Sequence, residues 1–81
     1  MHKFETGKEY AITKFGRISH EDFIRVIKRT NSFVTFERVF KGHTSIDEPE
    51  RNKIILTENG NEMLIIFGGL ISDSVYAKDL T

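Results

Sequence analysis

Two apolar runs around Glu58-Asn59-Gly60-Asn61 constrain this chain more than any other feature. Ile54-Ile55-Leu56-Thr57 precedes the turn and Glu62-Met63-Leu64-Ile65-Ile66-Phe67 follows it. Asn-Gly is the preferred centre of a type I′ turn, because both residues tolerate positive φ. The pattern therefore predicts a β-hairpin. A two-residue turn pairs Leu56 with Met63 and Ile54 with Ile65 on one face, and leaves Ile55, Leu64 and Ile66 on the other. Both faces are apolar, so the hairpin must be covered on both sides, by its own barrel or by a partner chain. Ile55, Leu64 and Ile66 are accordingly candidate partner-contact residues.

Two further strands follow from composition. Phe33-Val34-Thr35-Phe36-Glu37-Arg38-Val39-Phe40 is rich in aromatic and β-branched residues, and Glu9-Tyr10-Ala11-Ile12-Thr13-Lys14-Phe15 lies between Gly7 and Gly16. The run from Gly42 to Glu50 holds the single proline, Pro49, and reads as a long loop.

Residues 19–30 admit two readings. As a helix, Phe23, Ile24, Val26 and Ile27 share one side, Ser19 is an N-cap with Asp22 three residues on, and Asn31 ends it. As a strand, the segment pairs with 33–40 across a turn at Thr30-Asn31-Ser32. A three-residue turn sets Arg29 opposite Phe33, Val26 opposite Phe36 and Arg25 opposite Glu37. A two-residue turn sets Arg25 opposite Arg38, an unfavourable like-charge pair.

Length and composition bound the rest. The chain has 81 residues and no cysteine, which fits one domain, spanning 1–81, with a modest core. A secreted chain this short usually needs disulfides, and no signal-peptide or membrane-spanning apolar stretch is present, so the expectation is cytoplasmic. Net charge is zero, yet residues 1–44 carry nine Lys/Arg against five Asp/Glu, and residues 45–81 three against seven.

Reaction chemistry is sparse. Thiol chemistry is excluded. His2, His20 and His43 lack metal-ligand spacing, and His20-Glu21-Asp22 would point to alternating faces on a strand. Gly68-Gly69 lacks the lysine and hydroxyl residue of a phosphate loop. Ser72, Asp73 and Ser74 have no histidine near them in sequence. No catalytic, cofactor-binding or metal-binding residue is assigned, and the chain is not expected to be an enzyme.

Several short stretches resemble a group of small bacterial proteins without assigned function, carried by mobile elements and phages of Firmicutes. They are Phe4-Glu5-Thr6-Gly7-Lys8-Glu9-Tyr10, Val26-Ile27-Lys28-Arg29-Thr30, Phe33-Val34-Thr35-Phe36, Arg51-Asn52-Lys53-Ile54, Gly60-Asn61-Glu62, Gly69 and Ser72-Asp73-Ser74-Val75-Tyr76. The chain departs from the group at Gly16 to Asp22, where the group often has a cysteine-containing loop. The resemblance implies an all-β, five- to six-stranded Src-homology-3-like barrel. Its core would draw on Tyr10, Ile12, Ile24, Val26, Val34, Phe36, Phe40, Ile54, Leu56, Met63, Ile65 and Phe67. The alternative is an α+β domain with a helix at 19–30 on a four-stranded antiparallel sheet.

Two functions are consistent with these residues. One is a protein-interaction module whose partner is another protein or a second copy, gripped through the second face of the 54–67 hairpin. The other is nucleic-acid binding through a basic hairpin at 25–41, where Arg25, Lys28, Arg29, Arg38 and Lys41 are interleaved with Phe23, Phe33 and Phe40. In that reading Arg29→Glu weakens binding and leaves the fold intact. Nothing points to a membrane partner.

Overall fold

Alternating burial along parts of three strands, 23–26, 33–36 and 72–77, sets the inward face of the sheet. A computed structural model describes residues 2–40, 43–44, 48–67 and 72–81. Its elements are β1 (Glu9–Lys14), β2 (Arg17–Arg29), β3 (Phe33–Phe40), β4 (His43–Thr44), β5 (Glu50–Lys53), β6 (Ile55–Leu56), β7 (Glu62–Phe67) and β8 (Ser72–Leu80). Among the described residues there is no helix, and so none long and apolar enough to cross a membrane. The small all-β barrel is the fold, and the helix at 19–30 is not formed.

Seven strands follow one antiparallel path, β4-β3-β2-β1-β8-β7-β6, and β5 pairs off it with β3. β5 and β6 are separated only by Ile54, whose amide donates to Ser32 O at 2.7 Å. They act as halves of one bent strand, the first half on β3 and the second on β7. That strand joins the two ends of the sheet into a nearly closed barrel, which removes long free edges. Where β5 and β7 have no ladder between them, Asn52 Nδ2 donates to Ile65 O at 2.7 Å.

β2 wins over the helix because barrel pairing satisfies its backbone on both edges. Ile24 and Val26 are fully buried, while Arg25 between them faces outward. The N-cap signal at Ser19 is physically present but shapes something else. Its Oγ accepts from the amides of Glu21 (3.4 Å) and Asp22 (3.1 Å) inside a bulge. β2 there advances five residues, Ile18 to Phe23, while β1 advances two, Thr13 to Ala11. The turn to β3 resolves the register question by combining both readings. Thr30 N donates to Phe33 O at 2.8 Å, closing a two-residue turn at Asn31-Ser32. A bulge at Ile27 then restores Val26 opposite Phe36 and Arg25 opposite Glu37.

The core holds Phe4, Tyr10, Ile12, Ile24, Val26, Val34, Phe36, Leu64, Ile66, Val75 and Ala77, with Phe40 and Ile54 packed at its margin. Leu56, Met63 and Ile65, expected inside, are not part of it; Leu56 is 67% exposed. The side chain of Phe67 lies outside the described residues.

The 54–67 hairpin is inverted relative to its expected register. Thr57 N donates to Asn61 O (2.9 Å) and Gly60 N to Thr57 O (2.9 Å), so the loop has three residues. Gly60 has φ +77°, and Asn59 does not share a positive φ. This is a turn followed by a left-handed glycine. Ile55 consequently pairs with Met63, and Leu56 with Glu62. The one-residue slip moves Ile55 onto the face of Met63 and Ile65, and Leu56 onto that of Leu64 and Ile66. Leu64 and Ile66 are fully buried core residues and are unavailable to a partner, which corrects the expectation for both.

Candidate interaction surfaces

The cations of the 25–41 hairpin are largely committed to carboxylates. Arg25 lies between Glu9 on β1 (2.9 Å) and Glu37 on β3 (2.8 Å), each directly opposite it in register. Those hydrogen bonds, Glu37 foremost, raise the guanidinium pKa above its ordinary value. Arg38 pairs with Glu50 of β5 through both Nε (2.5 Å) and Nη2 (2.8 Å). Lys28 is exposed, and Lys41 lies outside the described residues. Phe23, Phe33 and Phe40 are each only partly exposed. Phe33 is covered by Arg51 at 3.9 Å from its ring centre, and Phe40 by Lys14 at 5.5 Å. The hairpin is thus an ion-paired wall, not an array of free cations and rings.

Arg29 is a structural residue. Its Nη1 and Nη2 reach Glu62 Oε1 (2.5 Å) and Oε2 (2.9 Å), and Nη1 also donates to Phe4 O at 2.8 Å. Glu62 Oε1 accepts the Phe4 amide at 2.8 Å. The N-terminal arm is held across this end of the barrel, with Phe4 buried edge-on against Tyr10 at 4.9 Å. Burial opposes the Glu62 charge, but the Arg29 hydrogen bonds and the Phe4 amide outweigh it and hold the carboxyl below its ordinary value of 4.5. Hydrogen bonding to Glu62 likewise raises Arg29. Burial pushes the Tyr10 phenol up from 10.0. Glu62 and Phe4 were not legible as a site. The only signal was a lone acid heading an apolar strand.

Three surfaces stand out among the described residues. The first is the outer wall of β6, β7 and β8. Ile55, Met63 and Tyr76 stand directly across from one another, and Ile65 follows Met63 on the same face. Ile55 is 39% and Ile65 46% exposed. The hairpin does present a second apolar face, made by Ile55, Met63 and Ile65.

The second is the tip between β1 and β2. Lys14 pairs with Arg17, leaving Phe15-Gly16 as a two-residue turn with φ +52° and +76°. Type I′ turns favour Asn at the first position, and a bulky residue there is strained. Phe15 is also 80% exposed. Phe15→Asn is therefore expected to stabilise the barrel by about 1 kcal/mol, raising Tm by roughly 4–8 °C. A thermal melt that shows an unchanged or lower midpoint would mean that the ring makes a stabilising contact.

The third is a cleft of about 530 Å³ at the Arg29 end, between the β2–β3 turn, the bent strand and the β6–β7 loop. Lys3, Lys53, Ile54 and Leu56 line it beside Arg29 and Glu62.

Among the described residues no three His, Cys, Asp or Glu side chains come together as a metal site. His20, Glu21 and Asp22 lie in β2, and Asp22 is engaged by Lys14 at 2.7 Å. The geometry defines a small antiparallel β-barrel, held by ion pairs, with apolar residues on one outer wall and one hairpin tip. No known protein family, curated protein or solved structure matches this chain.

Proposed function

We propose that this chain is a non-catalytic protein-interaction module of the bacterial cytoplasm that docks through the outer wall of β6, β7 and β8. One observation carries the reading. The 54–67 hairpin is apolar on both faces, and the core uses only the face of Leu64 and Ile66. The other face, Ile55, Met63 and Ile65, is a contiguous apolar row on a regular strand pair. Such rows on small soluble domains mark contact sites. The partner is another protein or a second copy. The nucleic-acid reading loses support, because Arg25, Arg29 and Arg38 are already neutralised by carboxylates.

Sedimentation over a wide concentration range, with affinity capture alongside, tests this on wild type and Ile65→Lys. The expected result is self-association, or a captured protein, that Ile65→Lys abolishes while the melt stays cooperative. A protein that remains monomeric and whose captured partners are indifferent to Ile65→Lys would sink the reading. Salt-sensitive binding to labelled single-stranded DNA would restore the alternative.

A further inference from the structure

The cleft at the Arg29 end is lined by both apolar and cationic side chains. Leu56, 67% exposed, and Ile54 supply its apolar part. Lys3, Arg29 and Lys53 stand against Glu62 alone in its lining, an excess of two positive charges in a chain with zero net charge. The two lysines come from the N-terminal arm and from the bent strand, so the concentration of charge is made by the fold. The volume, about 530 Å³, is that of a site for a few side chains. Cations around an exposed leucine are complementary to a peptide that carries carboxylates on either side of one apolar residue. We propose that this cleft binds an extended acidic segment of a protein partner, one apolar side chain seated on Leu56 and Ile54 and its flanking carboxylates facing Lys3 and Lys53. The proposal rests on the interaction-module reading and names the chemistry of the partner. Leu56 follows Ile55 on β6, so the cleft adjoins the outer wall.

The test is a titration of isotope-labelled protein, followed by amide shifts, with the capped peptide Asp-Glu-Leu-Glu-Asp and its counterpart Lys-Lys-Leu-Lys-Lys. The acidic peptide is expected to shift amides of the N-terminal arm, residues 31–32 and residues 53–62. It should bind about tenfold more tightly than the basic one, a contrast that added salt shrinks. Lys3→Glu combined with Lys53→Glu should reverse the preference, and Leu56→Asn should remove binding of both. These side chains are exposed, and an unchanged melting midpoint confirms that the fold persists. Equal affinity for the two peptides, shifts located elsewhere, or no shift with the acidic peptide overturns the proposal. A barrel that fails here yet self-associates through Ile65 keeps the interaction-module reading. Cleft binding with an inert wall keeps this proposal and discards the wall.

Discussion

Arg29→Glu is expected to destabilise the barrel by about 3 kcal/mol and to lower its unfolding midpoint sharply. The substitution sets two carboxylates together where Glu62 is only 6% exposed at its side chain, and it removes the donor to Phe4 O. Breaking one partner of a buried pair costs about 3–5 kcal/mol. The Arg29 side chain is 21% exposed, so solvent screens part of this and the lower figure is the better guide. A domain of this size has only roughly 4–12 kcal/mol in total. Glu62→Gln retains an acceptor for the Phe4 amide and should cost less. Urea unfolding followed by circular dichroism reads both. The pH dependence has a defined sign. The folded Glu62 carboxyl lies below 4.5, so its contribution is present above that value and is lost as pH falls through the lower folded value. Glu62→Gln should therefore flatten the acid limb of the stability profile. An Arg29→Glu protein with the wild-type midpoint would show that the pair does not hold the arm.

Leu64→Lys and Ile65→Lys should differ far more than adjacent substitutions on one strand usually do. Leu64 is fully buried and Ile65 is 46% exposed. An unpaired ammonium in the core costs several kcal/mol, enough to abolish cooperative unfolding. On the outer wall the same lysine keeps its charge in water and should change stability by about 1 kcal/mol at most. Thermal melts of the two variants show directly which face of β7 is buried. If Ile65→Lys is the one that unfolds, the inferred wall is the core face.

The hairpin shows where local signals run out. Asn59-Gly60 announces a turn, but Asn-Gly serves both a two-residue loop and a three-residue loop with a left-handed glycine. The two differ by one residue, and on a strand one residue exchanges every side chain between core and solvent. With apolar residues on both faces, the pattern itself cannot choose. An acid at position 62 reads as outward by composition. It faces inward because Arg29, far away in sequence, and the Phe4 amide meet it there. Residues 19–30 admit a helix and a strand locally, and pairing decides for the strand. The capping geometry of Ser19 is real, yet it closes a bulge in β2, since pairing with both β1 and β3 satisfies more backbone than a short helix would.

By itself the sequence determined the strand-forming segments 9–15 and 33–40, the two-faced 54–67 hairpin, the opposite charges that favour Arg25 facing Glu37 and the absence of thiol chemistry. These depend on alternation, propensity, cross-strand neighbours and composition, all of which are local or nearly so. Only the tertiary structure decided which hairpin face is buried, that the basic residues are ion-paired, and that Lys3 and Lys53 share one cleft. Each of those depends on contacts between residues far apart in the chain, made only when the bent strand closes the barrel. Closure can move a charge from a surface patch to a structural pair without changing a single local preference.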